Sequence, residues 1–166
     1  MADTPSPKLA TPTDLKPNAV SNVADALNGA LADCYALYLK TKNFHWHVSG
    51  PHFRDYHLLL DDQATQILGV TDAIAERVRK IGNTTLRSIG DIHRRQTIKD
   101  NDADFVGAGE MLAELRDDNL KLVESFRTVK ELAEEAKDNA TSGIVDEWTD
   151  QAEERAWFLF EASRRG

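Results

Sequence analysis

The chain has 166 residues, of which 41% are hydrophobic and 29% charged, with a formal net charge of −8. That size and balance describe one soluble globular domain able to bury a sizeable core. A transmembrane helix is excluded, because apolar runs reach only about five residues where about 20 are needed. Nucleic acid is disfavoured as a default partner, because an acidic surface repels phosphates.

The first thirty residues show no apolar stretch of a secretory signal. Cys34 is the single cysteine, so no intramolecular disulfide can form. Both features lead to the expectation of a reducing, cytoplasmic setting with no membrane partner.

Residues 1–17 carry four of the five prolines (Pro5, Pro7, Pro12, Pro17), with Lys8 and Lys16 set against Asp3 and Asp14. Such a segment cannot propagate a helix and has no apolar face, so it reads as a flexible tail before a domain at 18–166. The body shows apolar residues at three- and four-residue steps and no alternating strand pattern. A first helix is expected over 19–47, through Val20, Val23, Leu27, Ala30, Cys34, Tyr38, Thr41 and His45, ending at Ser49-Gly50-Pro51. A second is expected over 53–81, with a core stripe of Leu60, Ala64, Ile67, Thr71, Ile74, Val78 and Ile81. A long connection over 83–103 carries a short helix near 86–95, around Ile89 and Ile92. A third long helix is expected over 103–137 (Phe105, Ala108, Leu112, Leu115, Leu122, Phe126, Val129, Ala133). A fourth follows over 141–165 (Val145, Trp148, Ala152, Ala156, Leu159). Four long amphipathic helices predict an all-α four-helix bundle, and the long second-to-third connection predicts a crossover.

The second helix carries the chemistry. On a wheel of about 100° per residue with His57 at zero, Asp61 falls near 40°, Asp72 near 60° and Glu76 near 100°. This stripe is turned by roughly 110° from the core stripe, onto the helix flank. Leu58, Leu68 and Thr65 share that flank, which suits a contact surface better than open water. His57 and Asp61 are one turn apart, as are Asp72 and Glu76. The two pairs lie about 15 residues, or roughly 22 Å, apart, so one chain cannot bring both to one ion. Two copies of the helix packed antiparallel across a two-fold axis could do so.

The tight turn after the first helix brings His45, on that helix's inner face, toward His57 and Asp61. Imidazoles mixed with carboxylates suit iron, manganese or zinc better than calcium. Taken singly, an acid on a helix flank reads as a solvated residue; the joint alignment points to a metal. His47, His52 and His93 read as surface or loop residues, Trp46, Trp148 and Trp157 as packing residues, and Cys34 as a buried thiol.

The run Thr41-Lys42-Asn43-Phe44-His45-Trp46-His47, followed by Gly50-Pro51-His52-Phe53, His57-x-x-x-Asp61 and Asp72-x-x-x-Glu76-Arg77, resembles the signature of the Dps proteins. These are ferritin-like proteins that protect DNA in starved cells. The resemblance spans roughly residues 20 to 165, and the larger ferritins' Glu-x-x-His motifs are absent. It implies a hollow dodecamer of ferritin-like bundles and a ferroxidase centre between two-fold-related subunits. His45, His57 and Asp61 would come from one subunit, and Asp72 and Glu76 from the other. It implies oxidation of Fe(II), preferably by hydrogen peroxide over O2, and storage of Fe(III) oxide. Iron is the implied metal; zinc and manganese are further occupants that the donors suit. Trp46 resembles the aromatic residue that takes up stray oxidising equivalents. Asp138, Asp146, Glu147 and Asp150 resemble the acidic lining of three-fold pores. Their alternative reading is that of helix-start acids favoured by the macrodipole.

Many Dps proteins bind DNA through a lysine-rich tail, whereas this tail is nearly neutral and the C-terminus adds only Arg164 and Arg165. Weak DNA binding is therefore expected. A DNA-compacting, nucleoid-associated protein with a minor or zinc-occupied metal site is the alternative reading.

Overall fold

Proline opens the first helix. Helix α1 (Pro17–His47) starts on Pro17 itself, two residues before the expected boundary. A proline fits the first helical position because the N–H it lacks would have no partner there. The computed structural model of the protein describes residues 5–164. Residues 1–4, 165 and 166, including Arg165 of the basic C-terminus, lie outside the described residues. After a 3-10 turn at Pro7–Leu9 and α1 come α2 (Phe53–Lys80), a short α3 (Ile89–Arg95), α4 (Ala108–Glu135) and α5 (Asn139–Ser163). No strand occurs among the described residues, and none of their helices is long and apolar enough to cross a membrane.

Helix α1 packs against α2 and α4, α4 against α5, and α2 against α5, which makes the four-helix bundle. The core is the one the periodicity predicts. All seven residues of the α2 stripe are buried, as are Leu112, Leu115, Leu122, Phe126, Val129 and Ala133 of α4 and the five named residues of α5. Each fully buried large apolar side chain contributes about 1.5–3 kcal/mol. The Phe126 and Trp148 rings meet at a tilt, 5.9 Å apart, and lock α4 to α5.

The crossover from α2 to α4 is held along α1. The Asn28 amide donates to the Thr84 carbonyl, and the Thr85 hydroxyl donates back to Asn28. Buried Asp33 accepts from the Thr97 N–H at 2.6 Å, the Thr97 hydroxyl at 2.7 Å and the Ile98 N–H at 2.9 Å. The Asn43 amide donates to the Asn101 carbonyl. Three polar side chains of one helix thus bond backbone groups of Thr84, Thr97, Ile98 and Asn101 along the connection.

Two expectations need correction. Phe105 precedes α4 and is 74% exposed, because that helix starts only at Ala108, where the Glu110 carboxylate accepts from the Gly107 N–H. Trp148 is a packing residue, but Trp46 and Trp157 are 57% and 60% exposed, since their helix faces point away from the bundle.

The segment before α1 lies against the end of α2. Arg79 donates to the Leu9 carbonyl at 2.9 Å. Gly82, at φ +99°, passes so close to the Thr11 carbonyl that a Cβ there would sit 2.8 Å from its oxygen. Glycine is needed at 82 for both reasons.

Cys34 is fully enclosed, and burial pushes its thiol up to about 12. It should therefore resist thiol reagents at pH 8 in the folded protein and react fully on unfolding. A timed thiol titration with and without denaturant checks this; fast reaction in the native state would contradict it.

Candidate metal centre

The tight turn Ser49-Gly50-Pro51 reverses the chain, with Gly50 at φ +109°. The end of α1 is thereby laid beside the first turns of α2, and two histidines meet across the junction. His45 and His57 stack with ring centroids 3.8 Å apart and planes at 17°. Their hydrogen bonds are reciprocal: His45 Nδ1 lies 2.6 Å from the His57 carbonyl, and His57 Nδ1 lies 2.8 Å from the His45 carbonyl. A carbonyl oxygen only accepts, so both Nδ1 atoms carry the proton and donate. In the neutral form of each ring this leaves Nε2 with the lone pair, the state in which imidazole ligates a metal. The Phe53 ring covers His57 with centroids 5.1 Å apart. His45 is buried, His57 half-buried.

Asp61 lies one turn beyond His57. His45 Nε2 is 3.9 Å from Asp61 Oδ1, and Lys42 Nζ is 2.7 Å from the same oxygen. The hydrogen bond from Lys42 holds the Asp61 carboxyl below the usual carboxylate range, with the charges of Lys42 and the two histidines acting in the same direction. Lys42 also lies 5.7 Å from the centroid of the Trp46 ring. It carries no signal of its own in the sequence: it approaches Asp61 only because the turn folds α1 onto α2.

Asp72 and Glu76 are exposed on the same flank of α2, and Glu76 pairs with Lys80 at 3.5 Å. They stand about 16 Å or more from Asp61 along the helix. The chain therefore brings His45, His57 and Asp61 to one end of the flank and leaves Asp72 and Glu76 toward the other. Among the described residues, no three His, Cys, Asp or Glu side chains of one chain are grouped to hold a metal ion. Leu58 and Leu68 stand exposed between the two ends, an apolar flank open in the single chain.

The acids at the start of α5 divide. Asp138 is buried: its carboxylate caps the helix by accepting from the Thr141 N–H at 3.1 Å and pairs with Arg77 at 3.2 Å. Asp146 is exposed and paired with Lys130 at 2.8 Å, while Glu147 and Asp150 are exposed.

The Ferritin family model, described as a ferritin-like domain, matches residues 24–163. A DNA protection during starvation protein of Agrobacterium fabrum is 33% identical over 149 residues, covering 90% of this chain and 92% of that protein. The crystal structure of a Dps protein from Bacillus brevis superposes with a TM-score of 0.85 at 30% identity, over 90% of this chain and all of that one. A Dps structure from Vibrio cholerae, described as a member of the ferritin-like diiron-carboxylate superfamily, superposes with a TM-score of 0.85 at 25% identity. It covers 90% of this chain and 94% of that one. With this fold and this arrangement of histidines and carboxylates, the chain belongs to the Dps family of ferritin-like proteins.

Proposed function

We propose that the chain is one subunit of a hollow dodecamer that oxidises Fe(II) at centres shared between two-fold-related subunits and stores the Fe(III) oxide inside. The observation that carries this is the His45–His57 pair beside Asp61. Two imidazoles are held with Nε2 free and a carboxylate is held ionised, yet the group is one or more donors short of a site within its own chain. Asp72 and Glu76 of the partner subunit complete it when two α2 helices pack antiparallel, and the exposed Leu58 and Leu68 become the contact between them. Imidazole and carboxylate donors fit iron, which is here substrate and cargo, and also fit zinc or manganese.

Hydrogen peroxide is the preferred oxidant in this reading. Two Fe(II) ions give up one electron each, and one peroxide takes both electrons and two protons to become two waters, so no hydroxyl radical is released. Trp46, exposed and next to His45 in the chain, would take up a stray oxidising equivalent. Glu147 and Asp150, with Asp146, are the candidates for an acidic entry pore; Asp138 is already committed to capping α5. A dozen copies at −8 each make a strongly anionic shell with little hold on DNA. Protection would then come from removing iron and peroxide, and the setting would be the cytoplasm.

The test is anaerobic Fe(II) loading followed by a peroxide pulse, read by near-ultraviolet absorbance on a size-fractionated sample. Fast colour with iron co-eluting in a dodecamer-sized particle is expected. Oxidation no faster than in buffer would overturn the reading and favour a structural role on DNA.

A further inference from the structure

We propose that Lys42 is an internal cation that holds the metal position until a transition-metal ion displaces it, and so sets both the affinity and the selectivity of uptake. This rests on the ferroxidase reading above. The distance between His45 Nε2 and Asp61 Oδ1 is 3.9 Å. Metal bonds to imidazole nitrogen and to carboxylate oxygen are each about 2 Å, so two of them span such a gap. The donors are therefore within a small side-chain adjustment of the roughly 3.3 Å that two tetrahedral ligands of one ion adopt. The oxygen on which that ion depends accepts from the Lys42 ammonium at 2.7 Å. Among the described residues Asp61 is the only ion-pair partner of Lys42.

A divalent ion and an ammonium group on the same oxygen repel each other, so the ammonium must leave as the metal enters. Its route is short. The exposed Trp46 ring lies one turn further along α1, its centroid 5.7 Å from Nζ, and an aromatic face accepts a cation. The flexible four-carbon stem of lysine allows the swing without a change of backbone.

Displacement also discriminates between metals. Any entering cation loses the Lys42–Asp61 pair as a cost. Iron(II) and zinc gain imidazole nitrogen in return, whereas magnesium and calcium prefer oxygen and gain little beyond the carboxylate. Lys42 thus acts as a specificity-determining residue without ligating the metal.

Lys42→Met and Lys42→Arg in the full assembled protein test this, titrated with Zn2+ by calorimetry and by Trp46 fluorescence, with Mg2+ as competitor. Lys42→Met is expected to bind Zn2+ about tenfold more tightly and to become sensitive to Mg2+, while Lys42→Arg stays near the wild type. In the wild type, Zn2+ should change Trp46 emission as the ammonium, already 5.7 Å from the ring centroid, gives up Asp61 and settles closer on the ring, and Lys42→Met should lose that change. Zn2+ affinity that is unchanged or weaker in Lys42→Met would overturn the proposal. If His57→Ala still abolishes Zn2+ binding in that case, the shared-site reading survives and only the displacement fails. If neither wild type nor Lys42→Met binds Zn2+, both fall.

Discussion

His57→Ala and Asp61→Ala are each expected to lower the rate of peroxide-driven Fe(II) oxidation by about a hundredfold or more while the shell still assembles. Loss of an outer partner of a metal ligand already costs about 10–100-fold, and here the ligand itself goes. Assembly should survive because neither side chain belongs to the bundle core. Asp61 is half-exposed, hydrogen-bonded to Lys42 and near His45, and His57 is bonded to the backbone of His45 and covered by Phe53. Stopped-flow absorbance, with size fractionation of the same sample, checks both halves of the expectation. Oxidation at the wild-type rate would remove these residues from the site. Loss of the particle in either variant would make their role structural.

Mixing inactive subunits should restore activity. When a His57→Ala chain pairs with an Asp72→Ala chain, one of the two symmetry-related centres collects both lesions and the other is intact. Random assembly of equal amounts makes about half of the pairs mixed, so about one quarter of all centres regain every ligand. The parents alone should give none. The proposed shared centre predicts this outcome, because Asp61 and Asp72 are separated by about 16 Å of helix and cannot reach one ion within a chain. Co-refolding the two variants and measuring oxidation per particle checks it. A mixture no more active than its parents would overturn the shared centre.

The periodic parts of the fold were legible because burial leaves its trace at three- and four-residue steps. The α2 stripe from Leu60 to Ile81 and the α5 stripe from Val145 to Leu159 read directly as core. The candidate site was legible for the same reason: a second stripe on α2 is polar where a solvent face would be irregular. What escaped depends on tertiary contact. Asn28, Asp33 and Asn43 look like ordinary polar residues of α1, yet they hold the crossover through bonds to residues 56 to 65 positions away. Phe105 fits the helical period but falls before the residue at which α4 begins. The reciprocal Nδ1 bonds of His45 and His57, and the approach of Lys42 to Asp61, exist only once the Gly50 turn has brought the two helix ends together.

The claim on which the rest depends is that one centre draws its ligands from two chains. Anomalous diffraction from crystals of the assembled protein loaded anaerobically with Fe(II) tests it most directly. The expected result is an iron peak at the two-fold interface, within about 2 to 2.3 Å of His57 and Asp61 and of a carboxylate from Asp72 or Glu76 of the partner subunit. An iron peak ligated by one chain alone, or no peak near α2, would contradict it.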